Sequence, residues 1–216
     1  MFLKRIIPFF LLLISFCAFF FLSVQSYAQS VEEDLSGSFF RLHILANSNS
    51  EEDQALKYLV RDELISYLHT LSGDTHSKES VMELARLHLA DFQKVAEKVI
   101  AENGYSYPVA VEIGNFPFPT KHYGNLSLPA GSYDALRVTI GKAEGQNWWC
   151  VLFPPLCFVN STTGLVEEED LAPIEDTLSD DEIALITTED TDTIRFKFKL
   201  VELMQNANSF FEQLDN

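Results

Sequence analysis

FFRLHILANSNSEEDQALKYLVRDELISYLHTL, Phe39 to Leu71, changes its hydrophobic period midway. Phe40, Leu42 and Ile44 alternate with Arg41, His43 and Leu45, which predicts a half-buried β-strand over Phe39–Ala46. After Ser50 the apolar residues Leu56, Leu59, Val60, Leu64, Tyr67, Leu68 and Leu71 recur every third or fourth position, one stripe over about five helical turns. Ser50, followed three positions on by Asp53, supplies the N-cap.

SGDTHSKES (residues 72–80) interrupts the stripe, and Ser80 with Glu83 predicts the start of a second helix carrying Leu84, Leu87, His88, Phe92, Val95, Ala96 and Val99, stopped by Asn103 and Gly104. Val109, Val111 and Ile113 make the next strand. FPFPTKHYGN (116–125) then turns, and Asp134, Leu136, Val138 and Ile140 alternate in another strand. Gly141 to Gly145 reads as a hairpin turn. NWWCVLF (147–153), apolar on both faces, reads as a central strand. Ile194 to Leu200 alternates as a short lead-in to a helix that docks at the C-terminus. The expectation is an α+β domain: a mainly antiparallel sheet, two consecutive amphipathic helices on one face and a C-terminal helix. Its core is 39–166, followed by an acidic loop or insert over 167–193 and the C-terminal helix over 194–216.

Lys4 and Arg5 precede an uncharged run from Ile6 to Val24, and Ser26 and Ala28 supply a small-x-small site before Gln29. That is the pattern of a secretory signal peptide over 1–28, cut between Ala28 and Gln29 and followed by a linker over 29–38. At about 1.5 Å per residue the run also nearly spans a bilayer of about 30 Å, so an uncleaved membrane anchor is the alternative. Either way the rest of the chain is exported. Cys17 lies in the leader, beside a Phe16 too bulky for a lipoprotein-type site. Cys150 and Cys157 remain as an even pair in an oxidising or thiol-poor compartment. They form a disulfide around a Pro154–Pro155 turn or pack as two buried thiols.

The chain carries 15 basic and 32 acidic residues; without Lys4 and Arg5 the balance is 13 against 32. This excess argues against nucleic acid or an anionic membrane surface as partner. Glu167 to Asp192 contributes twelve acids and no Lys or Arg, but lacks the spacing and glycine of a Ca²⁺ loop. His43, His69, His76, His88 and His122 are scattered without zinc-site spacing, and no nucleophile elbow or phosphate-binding glycine loop appears, so neither metal nor cofactor is expected. The one enzymatic alternative is a cysteine hydrolase, with Cys150 as nucleophile and His122 or His43 as base. An apolar strand would raise the Cys150 thiol pKa rather than lower it. The rigid turn around Thr120, Lys121 and Tyr123, with Trp148, Trp149, Pro154 and Pro155, is the candidate partner-binding surface.

FRLHILANSNSEEDQALKYLVRDEL, YPVAVEIGNFPFPTKHYGNLSLPAGSYDALRVTIG and NWWCVLFPPLCFV resemble the stage II sporulation protein R family of endospore-forming bacteria, over about Phe40 to Val159. The resemblance implies a signal made in the forespore and exported, through its leader, into the space between the two membranes. There it would activate a membrane-embedded aspartic-type receptor protease of the mother cell, which removes the pro-sequence of a sigma factor. On that view the protein is a ligand and not an enzyme. A membrane-anchored envelope scaffold is the competing class.

Overall fold

The computed structural model describes residues 3–73, 77–123 and 126–157, together with Leu178, Ser179, Ile183, Ile186 and Thr187. The order is α1 (Leu3–Ser38), β1 (Phe40–Leu45), α2 (Glu51–Ser72), α3 (Lys78–Leu87), α4 (Leu89–Glu102), β2 (Val109–Phe118), β3 (Lys121–Tyr123), β4 (Leu126–Leu128), β5 (Gly131–Ile140) and β6 (Asn147–Phe153). The fold is α+β, as expected. The predicted C-terminal helix and most of the acidic segment lie outside the described residues. Residues 29–38, expected as a linker, are the last turns of α1, and Leu35 there is fully buried. Among the described residues no helix is long and apolar enough to cross a membrane.

Four strands form the main sheet in the order β2-β5-β1-β6, with β1 parallel to β5 and the other two pairings antiparallel. A parallel pair needs a long crossover, and the α2–α4 helices and β2 lie within it. β3 and β4 pair separately as a short hairpin. β2 runs on to Phe118 through Pro117 instead of turning at Phe116. As an edge strand it tolerates a residue without an N–H.

Two expectations change because β1 separates β5 from β6. Gly141–Gln146 is not a hairpin turn but a crossing over the end of β1, and β6 is an edge strand, not a central one. β6 reads as apolar on both faces because both faces of the sheet are covered. Phe40, Leu42 and Ile44 meet Val60, Leu64, Phe92 and Ala96 of the helices in one core. A second core on the opposite face contains Phe39, Phe118, Leu126, Leu128, Tyr133 and Val151.

Ser50 caps α2, its side chain accepting from the Asp53 N–H at 3.2 Å. The second predicted helix starts earlier, with Ser77 as the cap accepting from Ser80 N–H, and it breaks at His88 into α3 and α4. His88 is half-exposed at that break, not a core residue, and its ring reaches Asp91 in the first turn of α4 at 3.3 Å. Leu87, assigned by spacing to the apolar stripe, is 71% exposed. Lys78, buried at the start of α3, pairs with Asp134 of β5 at 2.8 Å and donates to the Ser36 carbonyl of α1, joining three elements.

The NSNS loop does more than cap α2. The buried Asp53 carboxylate accepts from Asn47 Nδ2 at 2.8 Å and Ser48 Oγ at 2.5 Å. Burial pushes its pKa up, but hydrogen bonds from Ser48, Asn47 and Tyr107 prevail and hold it below the usual value. From the same loop Asn47 Oδ1 accepts from Lys142 N–H and Asn49 Oδ1 from Gln146 N–H, while the Ala46 carbonyl accepts from Gly145 N–H. This clasp brings the backbones so close that a Cβ at Gly145 would collide with the Ser48 carbonyl and Ala46. Gly145→Ala should therefore destabilise the protein by about 1–3 kcal/mol in urea denaturation. Gly37→Ala, where a Cβ meets nothing within 4 Å, should be neutral or raise stability by about 0.5–1 kcal/mol.

Candidate functional site

The second face of the sheet holds the polar residues that the alternation of β1 turned away from the helices. They do not meet solvent. Arg41 is 0% and His43 6% exposed, because the β3–β4 hairpin, the end of α1 and the side chains of Leu156 and Ile186 cover this face. The Arg41 guanidinium lies over the Phe118 ring at 4.1 Å and the Tyr133 ring at 4.7 Å, contacts that cation–π attraction favours. His43 stacks on Trp149 with ring centroids 3.7 Å apart.

Polar satisfaction of this layer is incomplete. Arg41 Nη2 donates to the Tyr123 hydroxyl at 2.6 Å, and that hydroxyl donates to the Trp149 carbonyl at 3.3 Å. Arg41 Nε and Nη1, and both ring nitrogens of His43, reach no partner. Among the described residues no carboxylate pairs with Arg41; the ion pairs lie elsewhere.

The electrostatics follow from this arrangement. Burial lowers His43 from 6.5 to about 4. Asn147, close enough to favour the protonated ring without reaching hydrogen-bonding geometry, works against that shift, while the charges of Arg137 and Arg41 add to it. His43 is therefore neutral at pH 7. Burial also lowers the Lys121 pKa, helped by the Arg41 charge. Burial raises Tyr123, against the opposing effect of Arg41, so its hydroxyl remains protonated and able to donate.

A family model described as Stage II sporulation protein R matches residues 36–163, the region that contains β1 to β6 and α2 to α4. The chain belongs to the stage II sporulation protein R family. Stage II sporulation protein R of Bacillus subtilis (strain 168) is 41% identical over 132 residues, which are 60% of this chain and 59% of that protein. The match thus spans about three fifths of the relative's length. No solved structure matches the chain.

Within the region shared with stage II sporulation protein R, the residues expected to bind a partner do not form one surface. Trp148 and Trp149 point to opposite faces of β6. Trp148 packs edge-on to Tyr58 at 5.4 Å with Arg61 4.4 Å above its ring, on the helix side. Trp149 lies with Lys121 and Tyr123 on the hairpin side. Thr120 Oγ1 accepts from Ala130 N–H at 3.1 Å, Pro154 is buried and Pro155 half-buried. Cys150 and Cys157 are disulfide-bonded across a Cα–Cα distance of 5.2 Å. This removes the thiol that the cysteine-hydrolase reading required, and His122 faces Ser127 Oγ at 2.7 Å. The expected cleavage residues Ala28 and Gln29 fall within α1.

Sequence reasoning missed Arg41 altogether. The available signal was a second apolar set, Leu126, Leu128, Tyr133 and Val151, too large for the helix-covered face alone.

Two measurements check this layer. His43 binds fewer protons folded than unfolded between pH 6.5 and about 4, so its contribution is complete above 6.5 and is lost as pH falls through that window. The Tm of the natural chain should fall between pH 6.5 and 4.5, and His43→Phe, which keeps a ring against Trp149, should flatten that decline. Cys150→Ser should lower stability by about 2–3 kcal/mol in denaturant titration, the chain-entropy value for so short a loop.

Proposed function

We propose that this chain is an exported signal of sporulation that activates a membrane-embedded aspartic-type protease of the mother cell, and so triggers processing of a sigma factor precursor. The observation that carries this reading is the family match, which covers the folded core. One other agrees with it. The leader, charged at Lys4 and Arg5 and then apolar, has the pattern of an export signal.

The protein would act as a ligand, and the protease would do the chemistry. A ligand that prefers the active state of its receptor by about 3 kcal/mol raises the active-to-inactive ratio on the order of 150-fold. The half-exposed Lys121 and the Tyr123–Trp149 pair offer the contact surface on the hairpin side. Retention of the leader, whose run from Ile6 to Val24 carries no charge, would favour a second reading, an anchored envelope scaffold.

Cells co-expressing the receptor protease and its substrate separate the two. With the full chain exported, precursor cleavage should appear and persist when the domain is released from the membrane. It should be absent without the chain, and Lys121→Ala should reduce it about fivefold or more, the loss expected of a contact worth over 1 kcal/mol. Cleavage that never depends on the exported chain overturns the signalling reading. Cleavage that requires membrane attachment favours the scaffold.

A further inference from the structure

Arg41 is a buried cation without a counter-ion among the described residues. Its side chain is fully inaccessible, two of its N–H-bearing nitrogens are unpaired, and it lies against two aromatic rings and a neutral hydroxyl. Lys121 adds a second positive charge close enough for its pKa to be lowered by Arg41, and it joins no ion pair among the described residues. In a chain of formal charge −17, acids are abundant, yet none among the described residues has been placed here. A buried guanidinium without a carboxylate weakens the fold, and apolar replacement of buried ions is often neutral or stabilising. Packing among the described residues gives no reason for arginine at this position.

We propose that Arg41 is the receiving group for a carboxylate presented by a protein partner, admitted beside the β3–β4 hairpin. The assignment to a protein partner rests on the reading of the chain as an activating ligand. A carboxylate suits the site because its planar oxygens match a guanidinium, and because a monoanion costs less than a phosphate dianion between two aromatic rings. Lys121, half-exposed on β3, marks the side from which an incoming anion first meets positive charge. Tyr123 holds Arg41 Nη2 through a single neutral hydrogen bond, which a carboxylate outcompetes. Phe118 touches both Arg41 and His43, so the unpaired ring nitrogens of His43 lie along the same layer.

The test reads stability and signalling separately. Sodium acetate, compared with sodium chloride at equal ionic strength, should raise the Tm of the full chain by several degrees and leave that of Arg41→Met unchanged. Arg41→Met should melt no lower than the natural chain, yet lose at least tenfold in precursor cleavage. No acetate-specific shift in the natural chain overturns the site, a result that needs no variant. An Arg41→Met chain that melts many degrees lower makes Arg41 a structural residue and overturns the proposal, as does a folded Arg41→Met chain with full cleavage. If the natural chain triggers no cleavage, the signalling reading and the partner assignment both fail. The acetate shift then decides only whether a carboxylate site exists.

Discussion

Phe40–Leu45 is held from four sides. β5 and β6 take its two edges, the helices cover Phe40, Leu42 and Ile44, and the hairpin layer covers Arg41 and His43. Side chains in a strand alternate, so a slip of one residue would put Arg41 and His43 under the helices and leave Leu42 and Ile44 beneath the hairpin. Both cores depend on this one register. The clasp around Asn47 and Asp53 fixes it, because the loop that ends β1 is hydrogen-bonded both to the first turn of α2 and to the Gly141–Gln146 crossing.

The same layering explains how the edge strand β6 is kept from pairing further. The Trp149 carbonyl is occupied by the Tyr123 hydroxyl, and the Val151 carbonyl accepts from Leu156 N–H in the turn that the disulfide closes. Unpaired backbone groups on an edge recruit other strands, and these two contacts remove them where β6 is most apolar. Tyr123 therefore links the edge of the sheet to the charge beneath it. A change at Arg41 would be felt at Trp149, and one at the disulfide turn would be felt along the strand that contacts His43.

Much of the fold was legible because it is written in short-range signals. Ser50 and Asp53, the helical stripe of α2 and the alternation in β5 depend on neighbours a few residues away, and the structure follows them except at Leu59, which the spacing puts on the stripe and which is exposed. What failed depends on distant residues. Nothing local in KAEGQN distinguishes a hairpin turn from a crossing; the difference is whether β1 lies between β5 and β6. The two-sided apolarity of β6 has two physical causes, flanking strands or covered faces, and sequence does not separate them. Trp148 and Trp149 belong to one motif in sequence and to opposite faces in space. Arg41 was read as the polar side of a half-buried strand because its cover comes from segments as far away as Leu126 and Ile186.

The position of β1 also orders events in time. It is made first, yet Phe40 pairs with Asp134 and with Phe153, about a hundred residues later. At roughly 5–20 residues per second of synthesis, β1 waits on the order of 5–20 s before either edge can be filled. The helices of the crossover can coil meanwhile, but the four-stranded sheet they pack on does not exist until β6 has emerged. Such non-local closure is intrinsically slow and leaves Phe40, Leu42 and Ile44 without their strand partners throughout. A chain built this way gains from anything that delays folding until it is whole.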